Sequence, residues 1–236
     1  MLQRRLAGPA LPIPAVLAWG TAAPGLHFCI SKHADGVTLE DADEPTVMAT
    51  LDATLDVLAA IHTAAIDWTS GCGVLDADGR APFRTWREHL RALGAGAEQA
   101  LTVVLGGDAQ ILLRRYHALI HECPEERALI HRDFGSNNVL TDGIGITAVL
   151  DWDAAGCGDP LYDVGAALFW RTWLTCVDRF YERCKVRLGR LPAFAPRVLT
   201  CALAVGFAGI TSSGAEGDAR QMEWDARRCL ALLAEA

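Results

Sequence analysis

Lysine is nearly missing from this chain. Only Lys32 and Lys185 occur in 236 residues, and arginine carries the rest of the positive charge. Twenty-one Lys+Arg against 29 Asp+Glu leave a net charge of −8. An acidic chain without a basic cluster argues against nucleic acid as its main partner and suits a cationic small molecule. Paired cysteines at ligand spacing are missing too. The eight cysteines, at 29, 72, 123, 157, 176, 184, 201 and 229, form no C-x-x-C. They are expected as reduced, mostly buried thiols of a cytoplasmic protein, not as disulfides or a zinc site. An unbroken apolar span is also lacking. Leu6 to Ser31 holds no Asp, Glu, Lys or Arg, but Pro9, Pro12, Pro14 and Pro24 forbid a continuous helix. Val198 to Ala215 is uncharged as well, and Gly206, Gly209 and Gly214 interrupt it; it reads as a core helix running into a loop. No membrane segment, internal repeat or low-complexity tail is expected. At 51% hydrophobic residues the chain is globular, with one large core or a large and a small lobe.

What is present is concentrated between Ala128 and Gly165. Leu129-Ile130 lead into His131-Arg132-Asp133, and a polar bend over Phe134–Asn137 follows. Asn138-Val139-Leu140 then runs to a turn at Thr141-Asp142-Gly143, and Ile146–Leu150 returns as a strand ending on Asp151-Trp152. This loop and hairpin bring Asp133, Asn138 and Asp151 toward one mouth. A carboxylate such as Asp133 accepts a hydroxyl proton. Asn138 and Asp151 offer hard oxygen ligands suited to Mg²⁺. The order His-x-Asp, four residues, Asn, then a further Asp is the order used in kinase phosphoryl transfer. A surface hairpin with a polar turn is the bland alternative; the whole pattern, continued by Gly158-Asp159-Pro160-Leu161-Tyr162-Asp163, argues against it.

These residues resemble the aminoglycoside phosphotransferase family. The likeness rests on DFGSNNVLTD followed by ITAVLDW, on LFWRTWL at 168–174, on ALPIPAVL at 10–17 and on CISKHADGVTL at 29–39. It is greatest to the hygromycin B branch and is weaker over 67–125. The resemblance implies an α+β, protein-kinase-like fold, with a mostly helical large lobe around a catalytic β-hairpin. It implies ATP and Mg²⁺, and transfer of phosphate to a hydroxyl of an aminocyclitol antibiotic, with hygromycin B as the first choice. Asp133 becomes the base that aligns the attacking hydroxyl, and His131 holds the catalytic loop through its ring. Asn138 and Asp151 become Mg²⁺ ligands, and Asp163 a brace for the loop. The carry-over also puts Ile30, Ser31 and Lys32 at the hinge that receives adenine. Asn137, Trp170 and Trp173 are candidate substrate contacts; the two indoles sit three apart, which on a continuous helix shares one face. Arg132 stands where glycine or alanine is common in this family.

Along the chain, Met1–Leu6 reads as a last helical turn stopped by Gly8-Pro9. Strands over Ala15–Trp19 and His27–Lys32 are joined through Thr21–Gly25, and Gly36–Leu39 turns into the large lobe. A helix begins at Glu44-Pro45-Thr46 and ends near His62, which is read as a buried, hydrogen-bonded histidine without chemistry. Asp67–Pro82 is loop. Helices follow over Phe83–Leu93, with Arg84, Arg87 and Arg91 outward, and over Ala97–His121, interrupted at Gly106-Gly107. After the central stretch, helices are expected over Tyr162–Cys184, Arg197–Ile210 and Asp218–Ala234, with loop at Thr211–Gly217.

No G-x-G-x-x-G precedes the hinge, and no lysine stands on a strand before it. Residues 1–35 are therefore expected as a reduced small lobe and 36–236 as the large one. Weak ATP binding follows, as does an exposed apolar face around Val16, Leu17, Phe28 and Ile30 that favours self-association. The competing reading is an impaired kinase-like remnant that binds antibiotic or nucleotide without efficient turnover. A metal-dependent hydrolase is disfavoured because no second histidine has ligand spacing.

Overall fold

The computed structural model describes residues 2–6, 11–23 and 26–235. The Gly8-Pro9 stop and the Pro24-Gly25 bend lie outside the described residues. After a short helix α1 (Leu2–Leu6), strands β1 (Val16–Ala23) and β2 (Leu26–Ser31) pair antiparallel, with Trp19 opposite Cys29 and Val16 opposite Ser31. Both strands extend further toward the bend than the sequence suggests. Lys32 N–H closes the ladder on the Ala15 carbonyl at 2.8 Å. Leu17, Phe28 and Ile30 are exposed on this hairpin and Val16 is half-buried.

Residues 37–38, read as part of a turn, form strand β3 (Val37–Thr38), which pairs with β6 (Val139–Thr141); β6 in turn pairs with β7 (Ile146–Val149). A third small sheet has β8 (Gly156–Gly158) between β4 (Gly73–Val74) and β5 (Ala128–Ile130). The expected Asp67–Pro82 loop thus contributes one short strand, and β8 was not visible as a strand because it reads Gly-Cys-Gly.

Helix α2 (Glu44–His62) starts where expected. The Asp43 side chain accepts from Thr46 N–H, Pro45 lies in the first turn, and Leu51, Leu55, Leu58 and Ile61 are buried. Helix α3 (Trp86–Leu105) opens with a capping box between Thr85 and Glu88 and runs unbroken where a stop was expected after Leu93. The reason is packing. Gly94 faces the Tyr116 ring of α4 (Gly107–Leu119), where a Cβ would sit 3.2 Å from Cε1, and Tyr116 Oη donates to Leu90 O at 2.9 Å. The interruption at Gly106, with φ +58°, is where the sequence places it. Arg87 does not point outward; it donates to the carbonyls of His121 and Cys123.

Two further expectations change. The single helix over 162–184 is two, α5 (Leu161–Trp170) and α6 (Thr175–Leu188), with a turn between them. Helix α7 (Phe194–Glu216) absorbs the expected 211–217 loop up to its Gly217 cap, because Gly206 and Gly209 are contact points with Cys229 and Asp225 of α8 (Ala219–Glu235), not breaks. Among the described residues α7 is the one helix long and apolar enough to cross a bilayer, and most of it is buried in the body of the protein. Of the eight free cysteines six are buried, Cys176 is half-buried and Cys29 exposed.

The interior has two apolar clusters. One joins α3, α4, α7 and α8 with one face of α5, around Trp86, Tyr116, Phe169 and Phe207; the other joins α2, α6 and the opposite face of α5 with the β6–β7 hairpin. Strand alternation in β5 sends Leu129 into the second and Ile130 into the first. His131, the next residue, returns to the side of the second cluster and packs against its Phe134 and Trp152.

Candidate active site

The backbone at Arg132 has φ +70°, and at Asp151 +53°. Such left-handed positions cost roughly 1–3 kcal/mol in a residue with a side chain and persist only when surroundings enforce them. Asp163 supplies the enforcement at Arg132. Its buried carboxylate accepts the Arg132 N–H at 2.7 Å, the His131 N–H at 3.2 Å and His62 Nε2 at 2.9 Å. Burial alone would raise the Asp163 carboxyl. The hydrogen bond and charge of His62, with His131 and the Arg132 amide, outweigh it and hold the group below the ordinary carboxylate range. Asp159, at the start of α5, is fixed in the same region by a buried two-pronged pair with Arg197, at 2.7 and 2.9 Å.

His131 is fully buried. Its Nε2 donates to the Leu150 carbonyl at 2.9 Å, and its ring lies 4.6 Å from Trp152. Burial lowers its pKa against the opposing charge of Asp163, so the ring is a neutral cross-link between the loop and the end of β7. That bond ties the residue before Asp151 to the residue two before Asp133.

Asn138 spends its amide group on Asp133. Nδ2 donates to Asp133 O at 2.9 Å and to Oδ2 at 2.8 Å. Oδ1 of Asp133 has no protein hydrogen bond among the described residues, nor does the Asp151 carboxylate. Asn138 Oδ1 and Asp151 are the hard oxygen donors of the region, and Mg²⁺ held by one or two side chains completes its shell with phosphate and water. In type, these two donors suit such an ion. A Cβ on Gly135 would fall 2.5 Å from Asn137 Oδ1, so glycine at that position lets Asn137 fold over the bend.

Asp133, Asn137 and Asp151 line a cleft of about 640 Å³ together with Trp170 and Trp173. Glu40 and Asp153 add two more acids to its wall; among the described residues Arg132 is its one basic residue. The cleft wall does not include Ile30, Ser31 or Lys32, which remain at the end of β2. The two tryptophans do not share one helix face. Trp170 ends α5, and Trp173 sits in the following turn with its N–H on the Trp170 carbonyl at 2.8 Å. What joins them is Trp224 of α8, stacked on Trp170 at 5.2 Å and 9° and edge-on to Trp173 at 5.3 Å. Trp173 stays 58% exposed. Trp224 and Glu40 escaped the sequence reading, since neither stands in or beside the central motif. His62 was placed as a buried, bonded histidine; its partner, Asp163, was not foreseeable from spacing.

Comparison with known proteins agrees with this geometry. The model of the phosphotransferase enzyme family matches residues 2–200. Hygromycin-B 4-O-kinase of Escherichia coli is 35% identical over 237 residues, spanning 98% of this chain and 68% of the relative. A thermostable mutant of aminoglycoside phosphotransferase APH(4)-Ia, solved as a ternary complex with AMP-PNP and hygromycin B, superposes with TM-score 0.89 at 35% identity, covering 99% of this chain and 80% of that one. A choline/ethanolamine kinase family protein from Mesorhizobium loti, at 18% identity and TM-score 0.66 over 98% of this chain and 77% of its own, shares the fold alone. The α+β, kinase-like architecture expected from the motifs is the one observed, and the chain belongs to the aminoglycoside phosphotransferase family of phosphotransferase enzymes.

Proposed function

We propose that this enzyme transfers the γ-phosphoryl group of ATP to a hydroxyl of hygromycin B or a near aminocyclitol relative. The observation that carries the reading is Asp133. Its carboxylate is held at Oδ2 by Asn138 and has no hydrogen bond at Oδ1 among the described residues, on the wall of an acidic cleft. The attacking hydroxyl donates to Oδ1, which aligns it and receives its proton as the new O–P bond forms and the bond to ADP breaks. Asn138 Oδ1 and Asp151 would hold Mg²⁺, which neutralises phosphate charge when bound. His131 and Asp163 act through the loop, His131 by its bond to Leu150 O and Asp163 by its two loop amides.

Substrate recognition follows from the wall. Glu40, Asp133, Asp151 and Asp153 favour a polycationic ligand, and the exposed face of Trp173 with its neighbour Trp170 offers a flat surface for a sugar ring. Asn137 adds a polar contact at the bend. Ile30, Ser31 and Lys32 would receive adenine through backbone groups, with residues 1–35 as the nucleotide-side lobe and 36–236 as the catalytic lobe. The 35% identity to a hygromycin-B 4-O-kinase supports the choice of antibiotic.

A substrate panel tests the reading. Hygromycin B, other aminoglycosides, choline and homoserine are each incubated with ATP and Mg²⁺, and products are weighed by mass spectrometry. Gain of one phosphoryl group on hygromycin B, and not on choline or homoserine, is expected. Modification of another alcohol with hygromycin B untouched would replace this substrate assignment.

A further inference from the structure

Three indoles and one phenyl ring form a single cluster beside the cleft. Trp170 and Trp224 lie parallel, 5.2 Å apart at 9°. Phe169, fully buried, meets both of them at 85°, at 5.0 and 5.7 Å. Trp173 also meets both nearly at right angles, Trp170 at 6.0 Å and Trp224 at 5.3 Å. Among the described residues, Trp170 and Trp173 line the cleft and Trp224 is not part of its wall. Trp224 comes from α8, and Arg228, one turn further along, docks α8 on the end of α5. Arg228 is buried; it donates through Nε to Phe169 O at 3.0 Å and through Nη2 to Leu168 O at 3.1 Å. Those carbonyls lie in the last turn of α5, where carbonyls lack partners within the helix and a cation faces the negative end of its dipole. Arg228 and Trp224 stand four apart and are neighbours on the surface of α8. The arginine thus fixes the height at which Trp224 meets Trp170.

We propose that Trp224 is a positioning residue for the antibiotic: it holds Trp173 in the orientation that receives the sugar ring, without touching the substrate itself. The inference rests on the proposed function, in which Trp173 contacts the antibiotic. Trp173 sits in the turn after α5 and is 58% exposed, so the core does not enclose its ring. Among the described residues its ring partners are Trp170 and Trp224, and Trp224 is the nearer. Trp224 also backs Trp170 face to face, so one indole sets the plane of both cleft residues. Edge-to-face and parallel rings at such separations attract one another beyond simple area burial. Phe169 anchors the arrangement in the core, and Arg228 keeps α8 in register with it. Without Trp224, Trp173 would keep one ring contact and Trp170 would lose its stacked one. Binding would then have to order an indole that the unaltered protein already holds in place.

The test is steady-state kinetics on the full chain, with hygromycin B and ATP, for the unaltered enzyme, Trp173→Ala, Trp224→Leu and the double variant. Trp224→Leu should raise the KM for hygromycin B by roughly three- to tenfold, the range for ordering one large side chain, with kcat and the KM for ATP unmoved. Trp224→Phe, which keeps a ring, should recover part of that rise. In the Trp173→Ala background Trp224→Leu should add far less, because the residue it acts through is gone. An unmoved KM for hygromycin B in Trp224→Leu, beside a raised one in Trp173→Ala, would overturn the proposal and leave the substrate contact of Trp173 standing. The same fold-rise from Trp224→Leu with and without Trp173 would also overturn it, and so would a fall in kcat with both KM values raised, which marks a general loss of structure. No turnover of hygromycin B, or an unmoved KM in Trp173→Ala, would remove the proposed antibiotic contact and this inference with it. Should Trp224→Leu fail to fold, Trp224→Met, which fills more of the space without a ring plane, takes its place under the same criteria.

Discussion

The loop that carries Asp133 and the strand that carries Ile30 are held by opposite means. Around Asp133, buried groups converge from distant parts of the chain. His62 comes from the end of α2, Asp163 from α5 and the Leu150 carbonyl from beyond β7, and each bonds the His131-Arg132 corner or its brace. Around Ile30 the backbone ladder with β1 is the main support, and Ile30 is 52% exposed. The difference follows the chemistry proposed for each. Phosphoryl transfer needs a carboxylate fixed to a fraction of an ångström, and that demands side chains locked by packing and by a second layer of hydrogen bonds. An adenine contact made by backbone groups needs only a strand.

The contrast can be broken at either end. The largest effect is expected from Asp163→Asn. Removing this charge from a buried cluster of three donors should cost about 3–5 kcal/mol of stability, and phosphotransfer should fall with it; denaturant unfolding beside an activity assay measures both. An unchanged midpoint would show that the corner does not depend on its brace. Next, Asp151→Ala should abolish the Mg²⁺ dependence of nucleotide affinity while leaving the fold intact, as titration calorimetry with and without Mg²⁺ would report. Trp173→Ala should raise the KM for hygromycin B by about tenfold, with the KM for ATP unmoved, since one stacked ring is worth about 1–3 kcal/mol.

A smaller effect is expected with pH. His89 has a folded pKa well below its unfolded one, so the unfolded state binds the extra proton. Its contribution is therefore complete above about pH 6.5 and is lost progressively as pH falls from there toward 3, amounting to about 2 kcal/mol by pH 5. Asp225 opposes it. Burial raises that carboxyl to about 6, so its cost to folding is present above pH 6 and disappears in acid. Asp225→Asn should thus stabilise at pH 7.5 and not at pH 4, and it should leave a steeper acid loss. Urea unfolding at several pH values reads both signs. The smallest effect is expected at the other end of the comparison, where Ile30→Lys should change the melting temperature little and nucleotide affinity by a few fold.

Much of the central segment was legible because its signals are local. The spacing from His131 through Asp133 to Asn138, and the turn at Asp142-Gly143, are fixed by neighbours in sequence, and the loop and hairpin formed as read. The α2 start at Glu44 falls where it was read and carries its own cap in Asp43, whereas α3 starts three residues after the expected Phe83, behind the Thr85 cap. The errors fall where distant contacts overrule local propensity. Gly94, Gly206 and Gly209 look like breaks, yet each lets a neighbouring helix approach, so α3 and α7 run on. The turn between Trp170 and Trp173 depends on Trp224, far downstream, and no periodicity in 162–184 announces it. Arg132 stands where glycine or alanine is common in the family; its side chain is accommodated on Tyr162 and His89 while its backbone rests on Asp163.

The most direct test follows the phosphoryl group itself. Labelled γ-phosphate of ATP is mixed with hygromycin B and either the unaltered enzyme or Asp133→Asn, after circular dichroism has shown that both are folded alike. The label should move to the antibiotic with the unaltered enzyme, and the single-turnover rate should fall by roughly 10²–10⁴ in the variant, the range for loss of a general base. Transfer to hygromycin B at a near-equal rate in Asp133→Asn would contradict the account, because the carboxylate that Asn138 holds at 2.8 Å would then have no part in the reaction.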